Sequence, residues 1–331
     1  MLTPAILLSL VVSATAPSGQ IAFVSGTEQE DLCVCVADVA TGAINRVGRG
    51  RRDNNPVWSP AGDSLAFVSE VEGGNSVYIV GADGSGLKEI EHKQPWHDSP
   101  RWSPDGKRLA YSDGSHVVVY DVSGGMEEEW GAGLSGFLRP VWAGNRSLYA
   151  LRVSEDDGSL ATEMYAVSKH AAIPVPATAV PFEGPSVAWA VEPRPAGRAI
   201  AFEANDGSDR EVVVFSYTDG ARDISNHPTA DWNPVWRPDG KMIVFESFRG
   251  GRRGVYAVDP DTRRVFPIAA AHDSDNWAPS WSPDGQWIAF VSNRTGDPEL
   301  FITDTHGTRV RRITNHVGPD FMPVWNPRVT K

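Results

Sequence analysis

The chain holds only two cysteines among its 331 residues. That is too few for a disulfide framework or a zinc site with four thiolates. Cys33 and Cys35 stand two apart in the strand-like run DLCVCVADV, on one strand face, where a disulfide between neighbours is geometrically awkward. They are expected as small buried thiols. Positive charge is also scarce: 30 Lys and Arg against 42 Asp and Glu leave a net charge of −12. A nucleic-acid binder normally presents a basic face, so no nucleic-acid partner is expected. No apolar run approaches the roughly 20 residues of a membrane-spanning helix. Disorder does not fit either, because 41% of the residues are hydrophobic and only 22% charged.

The N-terminus carries the nearest thing to a hydrophobic run. Ala5 to Val12 are apolar except for Ser9, and small residues follow, with Ala14 and Ala16 as candidate cleavage positions. Pro17 would hinder cleavage after Ala16. This is the layout of a secretory signal peptide, although no Lys or Arg precedes the run. Residues 1–16 are therefore expected to be a signal peptide, and residues 17–331 a single domain in the periplasm or outside the cell. No cysteine lies near the cleavage region, so a lipid anchor is not expected.

Glycine (32), proline (25) and above all tryptophan (12) are abundant. The tryptophans fall in a repeat. VWSPAGDSLAFVS, RWSPDGKRLAYSD, VWRPDGKMIVFES and SWSPDGQWIAFVS share Trp-x-Pro-x-Gly and then an apolar strand. VWAGNRSLYALR keeps the Trp, and VEPRPAGRAIAFEA has Pro193 in its place. The anchors are Trp58, Trp102, Trp142, Pro193, Trp236, Trp281 and Trp325, at intervals of 44, 40, 51, 43, 45 and 44 residues. The last copy has no strand after it, and the chain begins with a strand, GQIAFVSG, that has no anchor before it. Joined, the two ends complete a seventh unit.

A period of about 40–45 residues holding four short strands is the signature of propeller blades. The expected fold is all-β: seven four-stranded antiparallel blades, with the ring closed by the C-terminal strand joining the N-terminal blade. That closure also removes an exposed sheet edge. In the second unit the strands are expected near Pro56–Ser59, Ser64–Ser69, Ser76–Val80 and Leu87–Glu91. Proline presets a tight turn after the inner strand, Asp-Gly supplies its polar cap and positive φ, and the indole packs between blades. Asp105, Asp239 and Asp284 of the Pro-Asp-Gly turns are expected as turn residues, because a lone carboxylate gives calcium too few ligands.

Loops entering the inner strands of a propeller gather at one mouth of its channel. Four residues before the anchors stand Asn54, Asp98, Leu138, Trp189, Trp232, Trp277 and Phe321; five before stand Asp53, His97, Asp231, Asn276 and Asp320, among others. One arc is thus aromatic and the neighbouring arc carries Asp and Asn. Apolar plates beside carboxylates suit a sugar, a peptide or a cationic group. The candidate binding residues are Asp53, Asn54, His97, Asp98, Trp189, Asp231, Trp232, Asn276, Trp277, Asp320 and Phe321. The competing reading is that the aromatics pad the junctions between blades. His227, His272 and His316 recur nine residues before their anchors, too far out to converge on a metal. No catalytic residue, metal or cofactor is expected. The loops Arg49–Arg52, Glu155–Asp157 and Ser247–Arg253 are expected to extend the rim.

At these repeats the sequence resembles the TolB-type propeller family. The match is clearest at Trp281-Ser282-Pro283-Asp284-Gly285, Ile288-Ala289-Phe290 and Ser292-Asn293-Arg294-Thr295-Gly296, and at Asn226-His227 and Asn315-His316. The resemblance implies a propeller fold, and for function an envelope protein that binds a protein or peptide partner at the channel mouth. Prolyl oligopeptidases carry similar repeats ahead of a hydrolase domain, but no Gly-x-Ser-x-Gly elbow occurs here. Oligogalacturonate lyase has a related propeller, which implies the alternative of a carbohydrate-binding or carbohydrate-cleaving protein.

Overall fold

The structure, a computed structural model, describes residues 17–27, 31–90, 98–131, 133–156, 159–175, 189–195, 199–205, 209–216 and 218–328. Residues 98–99, 154–156, 159–162 and 189–191 are described by their backbone alone. The expected signal segment and His97 lie outside the described residues.

Alternating and β-branched segments separated by Gly and Asp turns form seven four-stranded antiparallel sheets. In blade 1 the C-terminal strand Asp320–Trp325 pairs with Gln20–Ser25, followed outward by Cys33–Asp38 and Ile44–Arg46. Its register sets Ile21 against Trp325. The innermost strands of blades 2 to 7 are Asn54–Trp58, Asp98–Trp102, Phe137–Trp142, Trp189–Pro193, Asp231–Trp236 and Asn276–Trp281. Each touches the next, and the last touches Asp320–Trp325, so the ring is closed. The core lies between blades rather than within them. Ala22, Val34 and Val36 of blade 1, for instance, pack on Trp58, Leu65, Phe67 and Tyr78 of blade 2. Cys33 and Cys35 are buried and unbridged.

The repeat motif accounts for both the turns and the joints. In blade 3, Ser103 Oγ donates to Asp105 (2.7 Å) and accepts the N–H of Arg108 (2.9 Å). Ser282 does the same with Asp284 and Trp287. The glycine that follows the aspartate has φ 69° at Gly106 and 65° at Gly285, a region costly for residues with a Cβ. Each Ser-Pro-Asp-Gly therefore closes a hairpin on itself, and the hydrogen bond from Ser103 holds the Asp105 carboxyl below its usual range.

The anchor indoles then join blade to blade. Trp58 Nε1–H donates to the carbonyl of Val324 (2.9 Å), Trp102 to Val57 (3.3 Å), Trp142 to Arg101 (2.8 Å), Trp236 to Glu192 (3.1 Å) and Trp281 to Val235 (3.2 Å). The acceptor is always the residue just before the preceding anchor. Two joints differ. Pro193 has no indole to offer blade 4. Trp325 Nε1 is buried without an acceptor, and Ser280 Oγ instead accepts the Trp325 backbone N–H (3.0 Å).

A second device ties the outer strands. Ser225 donates to Glu211 (2.5 Å) and accepts the N–H of Val212 (2.8 Å); Thr314 repeats both bonds with Glu299 and Leu300 (2.5 and 2.9 Å). These are the residues just before Asn226-His227 and Asn315-His316. Burial, aided by the charges of Asp223 and Asp231, pushes the Glu211 carboxyl up from 4.5 to about 8.

Two outcomes are expected. Trp236→Phe removes a used donor and loses about 1–2 kcal/mol of unfolding free energy, whereas Trp325→Phe removes an unpartnered one and is close to neutral. Urea unfolding of both variants measures the difference. Because the folded-state pKa of Glu211 is raised, its contribution is intact below about pH 4.5 and is lost as pH rises through about 8. Glu211→Gln should flatten the fall in stability between pH 4.5 and 8, read from urea midpoints at the two ends of that range.

Candidate functional site

The inner strands run side by side around the channel, so their first residues meet at one mouth. The five inner strands whose side chains are described throughout share one irregularity. The residue three before the anchor has positive φ: Asn55 (50°), Arg139 (51°), Asn233 (55°), Ala278 (51°) and Met322 (53°). The next residue is Pro56, Pro140, Pro234, Pro279 or Pro323, which has no N–H to give a ladder. Pairing shifts register there; in blade 6, Trp232 faces Glu246 and Val235 faces Val244, leaving two residues opposite one. This is a β-bulge repeated around the ring.

The bulge sorts the candidate residues by depth. Asp53, Asp231, Asn276 and Asp320, five before their anchors, are fully buried. Asp53 Oδ2 accepts the N–H groups of Val34 (3.2 Å) and Gly50 (3.0 Å). Asp231 accepts Arg249 Nη2 (2.6 Å), and Asn276 accepts Arg294 Nη2 (2.8 Å). Both arginines are also held by the serine two residues earlier, Ser247 or Ser292, at 2.9 Å. Arg249 lies over Phe245 and Tyr256, and Arg294 over Phe290 and Phe301. The Ser-x-Arg motif is therefore an internal clamp, and Arg249 turns inward from the loop expected at the rim. Asp320 lies 3.5 Å from His316 Nε2, and burial raises its carboxyl from 3.8 to about 6.

Asn54, Trp232, Trp277 and Phe321, four before their anchors, are partly exposed. Asn54 Nδ2 donates to the carbonyl of Arg52 (3.0 Å). Asp98 and Trp189 take the equivalent backbone positions in blades 3 and 5. The structure brings Trp232 and Trp277 to one guanidinium: Arg253 lies 5.5 Å from the first ring and 5.3 Å from the second. Arg210 stands 5.8 Å from Trp232, and Phe248 packs on that indole at 5.1 Å. Phe248 is 45% exposed and Met322, on the neighbouring inner strand but one, 44%.

Two carboxylates beneath this stack hold it in place. Glu246 accepts Arg253 Nε (2.5 Å), Asn233 Nδ2 (2.8 Å) and the Ala278 N–H of the next blade (3.0 Å). Glu203 accepts the Asn233 N–H (2.8 Å) and faces Arg210 Nη1 at 3.5 Å. Burial pushes the Glu203 carboxyl up, against the Asn233 hydrogen bond and the arginines. The residues at the same register in blades 1, 2 and 7 are Val24, Val68 and Val291. Blades 3 and 4 have Ser112 and Leu151 there, so a glutamate at this register was a readable signal for this part of the site. Arg210 had none, because the indole it meets belongs to the next blade.

Among the described residues no group of three or more His, Cys, Asp or Glu side chains is arranged to hold a metal ion. His227 Nδ1 instead pairs with Thr229 Oγ1 (2.8 Å).

Comparison with known proteins places the repeat. The TolB beta propeller domain matches residues 4–188, more than half of the chain. The uncharacterized peptidase YuxL of Bacillus subtilis is 22% identical over 205 residues, 58% of this chain and 29% of that protein. The Tol-Pal system protein TolB of Francisella tularensis is 32% identical over 84 residues, 24% of this chain and 18% of that protein. The matches thus span less than a third of these relatives' own length. Among solved structures, TolB from Acinetobacter baumannii aligns over 94% of this chain and 67% of its own with TM-score 0.61 and 18% identity. The propeller domain of the trilobed protease from Pyrococcus furiosus aligns over 90% and 96% with TM-score 0.68 and 14% identity. Oligogalacturonate lyase in complex with manganese aligns over 91% and 87% with TM-score 0.64 and 15% identity. At such identities these structures share the fold and speak to nothing further. With the blade repeat, the ring closure and the domain match in agreement, the chain belongs to the TolB β-propeller family.

Proposed function

We propose that this protein is an exported, non-catalytic propeller that binds a protein or peptide partner at the mouth of its channel. The observation that carries the reading is the stack of Arg210, Trp232, Arg253 and Trp277, flanked by the exposed Phe248. Trp, Arg, Phe and Met are the residues enriched at protein interfaces, and Trp and Arg dominate their binding energy. Here the arginines are preorganised by buried glutamates, so little side-chain freedom remains to be lost on binding. Both indoles already have a guanidinium beside them, which favours a polypeptide surface over a sugar ring seated on a bare plate.

In this reading Asn54, Asp98, Trp189, Trp232, Trp277 and Phe321 form the contact arc. Asp53, Asp231, Asn276 and Asp320 hold its strands from behind, with His97 at the equivalent sequence position in blade 3. Export rests on the apolar run Ala5–Val12 and the small residues after it. Among the described residues no helix is long and apolar enough to cross a membrane. The proposed location is the periplasm or the medium, with a role as an envelope scaffold.

The test is capture from the source organism's envelope and medium on immobilised protein, with mass spectrometry of both proteins and glycans. A protein should be retained, and Trp277→Ala or Arg253→Gln should weaken its binding by about 2 kcal/mol or more. A retained glycan lost in the same variants, or a retained protein indifferent to them, would contradict the proposal.

A further inference from the structure

The anchor end of the blades, away from the mouth, has joints of its own. In blade 6 the register runs outward from Val235 through Val244 and Ala257 to Phe266 of the outermost strand, Arg264–Ala269. Four blades use the residue at this outer position to reach the next blade. Lys88 of blade 2 donates to Tyr120 Oη (2.9 Å), and Glu128 of blade 3 accepts Lys169 Nζ (2.6 Å). Arg222 of blade 5 faces Asp261 at 4.0 Å, and Arg311 of blade 7 donates to the Val39 carbonyl of blade 1 (2.6 Å). Blades 1 and 4 have Asn45 and Ile173 there. Blade 6 has Phe266, whose ring can make no such bond.

A cavity of about 590 Å³ opens beside Phe266, between blades 6 and 7. The cleft between blades 5 and 6, where Arg222 faces Asp261, holds about 160 Å³. Met242 and Phe266 line the larger cavity and pack on the core shared by its two blades; Pro267 lines it with them. Thr305 and His306 line it from blade 7. Gly307 lets that turn lie against blade 6, since a Cβ there would stand 2.2 Å from the Ile268 carbonyl oxygen. The charged groups of the lining are not equally engaged. Asp259 Oδ1 accepts the N–H groups of Asp261 (2.9 Å) and Thr262 (3.1 Å). Arg237 faces Asp239 at 3.6 Å and lies over Trp281. Arg264 stands two residues before Phe266, on the same strand face, and among the described residues its guanidinium meets no acceptor.

We propose that this cavity binds a small organic carboxylic acid, its apolar body against Met242, Phe266 and Pro267 and its carboxylate on Arg264. The volume lies within the roughly 300–1,000 Å³ usual for small-molecule sites, and an apolar wall with a few polar groups is their usual lining. A guanidinium fork matches a carboxylate with two parallel hydrogen bonds. Arg237 is already answered by Asp239, and Asp259 by its own turn, so one guanidinium remains and a monoanion matches it. An ammonium would meet that guanidinium as a like charge. The site stands at the other end of the strands from Trp232 and Trp277 and does not depend on the partner-binding reading.

The experiment measures binding of small probes to the whole protein by ligand-observed NMR and calorimetry. The probes are 3-phenylpropionate, octanoate, 3-phenylpropanamide, 3-phenylpropylamine, acetate and inorganic phosphate. At least one of the two acids with an apolar body should bind about tenfold or more tighter than the amide, the amine, acetate or phosphate. Arg264→Gln should abolish the preference of acid over amide. Phe266→Glu, which places the residue of blade 3 at this register, should abolish binding of the acid altogether. Arg264 is exposed, so its variant decides the matter if the Phe266 variant does not fold. Trp232→Ala with Trp277→Ala should leave binding of the acid unchanged, because the indoles stand at the mouth. Absence of binding by either acid, equal binding of acid and amide, or preference for the amine, acetate or phosphate would overturn the proposal. So would a preference indifferent to Arg264→Gln, or one lost in the double tryptophan variant, which would move the acid to the mouth. Partner capture is read separately, and its loss in the double tryptophan variant bears on the mouth alone.

Discussion

An indole N–H donated to the carbonyl one residue before the neighbouring anchor is the interaction on which the ring depends. It fixes the height and rotation of each innermost strand against the next, and five joints make it. A blade has two apolar faces and cannot bury either alone. The indole supplies flat area between blades and a directional bond at the edge of that area. With the strand so pinned, the proline two residues earlier cannot join the ladder, and the bulge turns what precedes it toward the mouth. The residues that build and the residues proposed to bind therefore share five or six positions of one short strand.

The departures from the repeat cluster on one side. Blade 5 replaces the anchor tryptophan with Pro193. Blades 5 and 6 place Glu203 and Glu246 where blades 1, 2 and 7 have valine, and these buried carboxylates need the arginines beside Trp232 and Trp277. A structure that only needed to close would keep valine there, since burying an ion pair contributes little to stability. Local breaks in an otherwise consistent pattern are where function is to be sought. Five non-glycine residues held at positive φ on the inner strands fit the same view, as strain retained around the channel.

Blade number, ring closure and the turn role of Pro-Asp-Gly were legible in the sequence because one large residue marks every period. The inner strand of the second unit was placed at Pro56–Ser59 and is Asn54–Trp58. Proline read as a strand breaker hides a bulged strand that runs through it. Aligning residues four before the anchors found Trp232, Trp277 and Phe321, which share partial exposure. Aligning residues five before found Asp53, Asp231 and Asp320, and only the structure shows that these turn into the joints behind the rim. Arg210 and Arg253 come from hairpins whose approach to an indole depends on the stacking of whole blades, which no local pattern encodes. His97 lies outside the described residues.

Trp277 and Trp281 lie four residues apart on one strand and, on this account, do different work. Trp281 is buried, bonded to Val235 and capped by Arg237 at 5.7 Å; Trp277 is partly exposed beside Arg253. Urea unfolding of Trp281→Ala and Trp277→Ala tests that division directly. The account predicts a loss of roughly 3–5 kcal/mol for Trp281→Ala and less than half of that for Trp277→Ala. Equal losses would mean that Trp277 is one more joint between blades, and the division between building and binding positions would be contradicted.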